Sequence, residues 1–94
     1  MAVEFTAQEM RNVFAGLDRN PEALEPLNTE DTVYLERDLS NKVFRVYGTE
    51  PDEYVQPLIE VDPDDGEATF GFINRYYMLR EGTFNPMEND SDPL

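Results

Sequence analysis

The sequence predicts an α+β fold in which an N-terminal helix packs on an antiparallel meander of four to five strands. Two observations carry that prediction. A helix-start signature stands near the N-terminus, and two pairs of β-rich runs each flank a turn sequence.

The helix signature comes first. In Phe5-Thr6-Ala7-Gln8-Glu9-Met10, Thr6 can accept from the Glu9 amide, Glu9 can return the bond, and Phe5 can staple against Met10. Met10, Val13, Phe14 and Leu17 then recur at helical spacing, which predicts a helix over Ala7 to Leu17. Asn20-Pro21-Glu22-Ala23-Leu24 reads as a second cap with proline at the first helical position, and Pro26 limits it to one or two turns.

The hairpins come next. Thr32–Arg37 and Lys42–Tyr47 flank the turn Asp38-Leu39-Ser40-Asn41. Leu58–Val61 and Ala68–Ile73 flank Asp62-Pro63-Asp64-Asp65-Gly66-Glu67, where proline fits a type I turn and Gly66 a left-handed closing residue. Thr49–Tyr54 reads as a capped helical turn, and Tyr76–Arg80 as a fifth strand. Residues 1–81 therefore form one domain. Residues 82–94 read as an acidic tail that orders only when docked.

Composition narrows function. The chain has 94 residues, 39% hydrophobic and 12% aromatic, enough for one small core. It has no cysteine and no histidine, which excludes disulfides, thiolate chemistry and the commonest general base and metal ligand. The N-terminus does not read as a signal peptide, and no apolar run approaches the roughly 20 residues needed to span a bilayer. An intracellular, cytoplasmic home is the expectation. The serines, Ser40 and Ser91, have no base to activate them, and the glycines form no phosphate loop. Asp62–Glu67 superficially resembles a calcium loop, but neither register supplies the required ligands. A start at Asp62 puts Gly66 at position 5, and a start at Val61 puts Val61 and Pro63 at positions 1 and 3. Paired carboxylates on turns lack the cleft that glycosidase chemistry needs. No enzyme activity, cofactor or metal is expected.

Charge is the strongest signal. The net charge is −14, from 21 acids against six arginines and one lysine. Residues 49–67 hold eight acids and no base: Glu50, Asp52, Glu53, Glu60, Asp62, Asp64, Asp65 and Glu67. More than half the net charge thus lies in a fifth of the chain. Such a segment repels nucleic acid and anionic membranes, and attracts cationic surfaces. With Tyr54 among them, these acids form the expected partner-binding set. The two acidic turns, one at each end of the Leu58–Val61 strand, would lie roughly 13–20 Å apart, a span over which they can imitate nucleic-acid phosphates.

These features together read as a non-catalytic protein binder whose acidic surface occupies the basic, nucleic-acid-binding site of a partner. It is an inhibitor or regulator of the kind a virus or mobile element encodes. Two alternatives stand beside it. An aromatic surplus of five Tyr and six Phe fits a structural or assembly subunit, such as a virion component or a homo-oligomer. The scarcity of lysine fits a domain acidified for solvation in high salt.

Overall fold

The computed structural model describes residues 2–82. Four antiparallel strands form one sheet in the order β1-β2-β3-β4: β1 Ala2–Thr6, β2 Thr32–Asp38, β3 Val43–Tyr47 and β4 Ile59–Val61. Two α-helices, α1 Ala7–Ala15 and α2 Glu67–Glu81, lie on one face of that sheet. Short 3₁₀ turns occupy Glu22–Leu24 and Pro63–Asp65. The α+β class holds, but the element order differs from the expected one. A strand precedes the first helix, and a second helix closes the described chain.

Thr6 ends β1 and caps α1. Its hydroxyl accepts from the Glu9 amide at 3.0 Å, and the Glu9 carboxylate accepts from the Thr6 amide at 2.9 Å. The expected capping box is therefore present. The helix stops at Ala15, two residues short of expectation, with Gly16 as its cap. A Cβ on Gly16 would lie 2.6 Å from Cζ of Phe72, so a residue without a side chain lets α2 approach here. Arg11 then fastens the next segment, donating to the carbonyls of Leu24 at 2.6 Å and Leu27 at 2.7 Å.

The first expected hairpin forms. β2 and β3 pair from Tyr34–Tyr47 to Asp38–Val43, and Asp38 holds the turn by accepting from the Asn41 amide and side chain. The second expected hairpin does not form. β4 pairs with β3, but Ala68–Ile73 and the expected fifth strand Tyr76–Arg80 are both parts of α2. The turn Asp62–Gly66 starts this helix instead of closing a hairpin. Asp62 accepts from the Asp64 amide at 3.0 Å, Asp65 accepts from the Asp62 amide, and Pro63 stands in the first turn. Gly66, at φ 93°, passes the chain into α2 through a backbone conformation open to glycine. Thr49–Tyr54 forms no helix; Asp52 turns the chain by accepting from the Tyr54 amide at 2.7 Å. Residue 82 is the last described, so the expected tail lies outside the described residues except for Gly82.

Strand alternation decides what the sheet faces. Phe5, Val33, Leu35, Phe44, Val46 and Val61 point toward the helices and pack with Met10, Val13, Phe14, Leu24, Ile73 and Tyr77. The Phe44 ring stands 4.7 Å from Phe70 and 6.0 Å from Tyr77. Arg37 closes this layer at one end, lying 4.3 Å above the Tyr77 ring and donating to Asn74 at 2.8 Å. Burial and the nearby Glu81 charge raise the Tyr77 hydroxyl above its ordinary pKa. Among the described residues no helix is long and apolar enough to cross a membrane.

Candidate functional site

Among the described residues the opposite sheet face carries no helix. By register it presents Ala2, Glu4 and Thr6 from β1, Thr32, Tyr34, Glu36 and Asp38 from β2, Val43, Arg45 and Tyr47 from β3, and Glu60 from β4. Cross-strand pairing sets Glu36 beside Arg45 and Arg45 beside Glu60. One guanidinium thus serves three carboxylates. Arg45 donates from Nε to Glu60 at 2.9 Å, and from one terminal nitrogen to Glu36 at 3.2 Å and to Asp38 at 3.4 Å. The Glu60 hydrogen bond, chiefly, holds the Arg45 pKa above its ordinary value. Tyr47 donates to Glu36 at 3.2 Å, and burial and the Glu36 charge raise its hydroxyl pKa. Asp38 is shifted down, first by the Asn41 side chain and then by the Asn41 amide.

The loop between β3 and β4 rises beside this face. Glu50 and Pro51 meet Ala2, Glu4, Tyr34 and Glu36 around an open cleft of about 270 Å³. Asp52, Glu53 and Tyr54 are exposed beyond it, and Tyr54 keeps 86% of its surface in solvent. Glu50, Asp52 and Glu53 make no ion pair among the described residues. The cleft and loop together form a carboxylate-rich surface with two tyrosines at its margin.

The remaining expected site residues lie elsewhere. Glu60 belongs to the open face, but its carboxylate is already engaged by Arg45. Asp62 and Asp65 shape the turn ahead of α2, and Asp65 also pairs with Arg19, which lies just past α1. Asp64 and Glu67 are exposed at that end and unpaired among the described residues. Residues 50–54 precede β4 and 62–67 come after it, so the two acidic groups flank a strand of only three residues. They also diverge, because Glu50 sits against the open face whereas Asp65 reaches toward the helical layer.

Sequence reading missed Glu4, Tyr34, Glu36, Asp38, Arg45 and Tyr47 as neighbours. The signal was present in β2, where Tyr34, Glu36 and Asp38 alternate with Val33 and Leu35. What it lacked was the register that sets them beside Arg45 and Glu60. Among the described residues no three acidic side chains converge on a metal-holding geometry; the guanidinium of Arg45 stands where such an ion would balance Glu36, Asp38 and Glu60. Hydrogen bonds from Arg80 to Glu9 and from Asn41 to Asp38 hold these two carboxyls below their ordinary pKa. No protein-family model, curated protein or solved structure matches the chain.

Proposed function

We propose that this chain is a non-catalytic binding protein, working inside a cell, whose acidic surface occupies a basic site where a partner otherwise holds nucleic acid. The observation that carries the reading is the set of exposed carboxylates that make no ion pair among the described residues. Glu50, Asp52 and Glu53 are exposed in the same loop as Tyr54 beside the open sheet face, and Asp64 and Glu67 are exposed separately after β4. Like charges held close on a folded surface repel, and a cationic partner relieves that repulsion. Tyrosine supplies contact area at low entropic cost, which suits Tyr54 to the centre of such a contact.

The full chain, immobilised, is exposed to lysate at about 0.1 M and about 1 M salt, which shortens the screening length from about 10 Å to about 3 Å. A partner bound through these acids is retained at the lower salt only and is displaced by added DNA or RNA. The triple variant Glu50→Gln, Asp52→Asn, Glu53→Gln fails to retain it. Retention that survives high salt, or survives the triple variant, overturns the reading.

A solvation role is the second reading, favoured by further exposed acids at Asp18, Glu22, Glu25 and Glu30, away from the open face. Unfolding in low salt that molar salt reverses decides in its favour.

A further inference from the structure

Among the described residues β1 and β4 are the edges of the sheet. An edge strand offers a row of backbone N–H and C=O groups to any chain that lies extended beside it. β4 is three residues long and offers little. β1 has five residues, with Val3 and Phe5 as its apolar positions.

Register shows which groups of β1 face outward. In an antiparallel pair, residues that exchange both bonds alternate with residues whose amide and carbonyl both point away. The Glu4 carbonyl accepts from Arg80 at 2.7 Å, and the Thr6 amide donates to Glu9 at 2.9 Å. Ala2, Glu4 and Thr6 therefore turn their backbone groups away from β2, and Val3 and Phe5 are left to bond to Leu35 and Val33. Beside the outward groups lies an open cleft of about 480 Å³, lined by Ala2, Val3, Glu4, Arg80 and Glu81.

Side chains from both helices take two of those outward groups. Arg80 comes from the last turn of α2 and Glu9 from the first turn of α1, and the two bond each other at 2.7 Å. The Arg80 guanidinium also lies 4.4 Å from the centre of the Phe5 ring. One arginine thus crosses the edge, from the carbonyl of Glu4 to the carboxylate that holds Thr6. A strand laid along β1 would need that carbonyl and would meet the guanidinium in its path.

We infer that Arg80 and Glu9 form a strap that closes the β1 edge against strand addition, and that the edge takes an extended chain once Arg80 is removed. The strap is held from outside, for Arg80 and Glu9 keep 41% and 43% of their side-chain surface in solvent. Ion pairs so exposed contribute little to stability, so the edge opens with the fold intact. The chain that reads out an open edge is the β1 of a second copy. With a twofold axis at Val3, the outward groups of Ala2 in each copy meet those of Glu4 in the other, the arrangement an antiparallel pair requires. The strap is independent of the acidic contact, since neither of its side chains belongs to the loop that carries Tyr54.

The test compares full-length wild type, Arg80→Met, Arg80→Met with Glu4→Pro, and Arg45→Met. Sedimentation velocity is run over rising concentration in about 1 M salt, where repulsion between chains of net charge −14 is screened. Hydrogen exchange is followed at the Glu4 amide. The wild type stays at its monomer mass of 10.9 kDa. Arg80→Met associates at least tenfold more tightly than the wild type, and its Glu4 amide becomes protected as concentration rises. Glu4→Pro removes that outward amide and no bond to β2, and it returns Arg80→Met to the monomer. Arg45→Met loses its ion pairs on the open face and stays monomeric. Circular dichroism checks each fold, and Arg80→Ala serves if Arg80→Met disturbs it. An Arg80→Met chain as monomeric as the wild type overturns the inference. So does association that survives Glu4→Pro, that Arg45→Met shows equally, or that protects the Glu4 amide of the wild type.

Discussion

Replacing Arg45 with methionine removes the one cation that the described residues place on the open face and keeps most of its apolar stem. Glu36 and Glu60 each lose a hydrogen-bonded ion pair, and Asp38 loses a longer one. Partly exposed pairs contribute roughly 0.2–1 kcal/mol each, so the Glu36 and Glu60 pairs together stabilise the fold by about 1 kcal/mol. Repulsion among the freed carboxylates acts in the same direction. For a domain of this size a loss of about 1 kcal/mol lowers Tm by about 4–8 °C. The assay is thermal unfolding of wild type and Arg45→Met at pH 7, in about 0.1 M and about 1 M salt. Screening at the higher salt shrinks most of the difference, because the Debye length falls to about 3 Å. A variant as stable as wild type at low salt would show that Arg45 is not a net stabiliser. A deficit unchanged by salt would assign the loss to packing. Binding runs the other way: an oligo-lysine peptide binds Arg45→Met more tightly if the open face belongs to the contact, and equal binding removes that face from it.

The capping box makes stability depend on acid. Hydrogen bonds from Arg80 and from the Thr6 amide lower the Glu9 pKa from its ordinary value of 4.5. A depressed carboxylate contributes stability above its unfolded pKa and loses it as pH falls through the folded one. Glu9→Gln is therefore less stable than wild type at pH 7, and urea titrations show the gap closing as pH drops below about 4.5; a gap constant with pH refutes the charge contribution. At Gly16 the backbone is right-handed helical, so alanine is conformationally acceptable and stabilises by about 0.4–1 kcal/mol where space permits. Space is denied by Phe72, so Gly16→Ala gives no gain in the wild type and does give it in a Phe72→Ala background. Additive effects, measured at low protein concentration, would exclude the close approach.

Elements whose specification is local were readable. Thr6 and Glu9 lie three residues apart and cap α1 wherever the helix goes, and Asp38 and Asn41 close the β2–β3 turn from within it. β1 was missed because a five-residue strand at the chain start shows one alternation, Val3 and Phe5, and its partner lies some 30 residues on. Asp62–Gly66 is ambiguous by its chemistry. Asp-Pro-Asp-Asp-Gly suits a hairpin turn, yet Asp62 with Pro63 in the first turn and Asp65 three residues on is equally a helix-type cap. The residues C-terminal to the turn decide between the two, and Phe70-Gly71-Phe72-Ile73 has the aromatic and β-branched content of a strand. The acidic segment was legible as composition. Its division into a part beside the open face and a part facing the helices depends on β4 and on Arg19, which no local pattern supplies.

The failure at α2 has a physical cause that bears on function. A helix betrays itself in sequence when one side is apolar and the other polar, because apolar residues then recur with a 3.6-residue period. Ile73 and Tyr77 supply that signal, but Phe70, Phe72 and Met78 also pack against the core and Tyr76 and Leu79 stand partly exposed, so apolar residues occur around much of the helix and blur it. Phe72 is partly accounted for within the chain, since it packs at Gly16. Tyr76 meets the Phe72 ring and leaves 37% of its surface in solvent, and Leu79 leaves 48%. Places where local patterning disagrees with the fold tend to be places where a second requirement acts on the same residues. Among the described residues, the open sheet face gathers Glu36, Asp38 and Glu60 around Arg45, whereas α2 carries no acid between Glu67 and Glu81, so the two layers of the domain differ in chemistry.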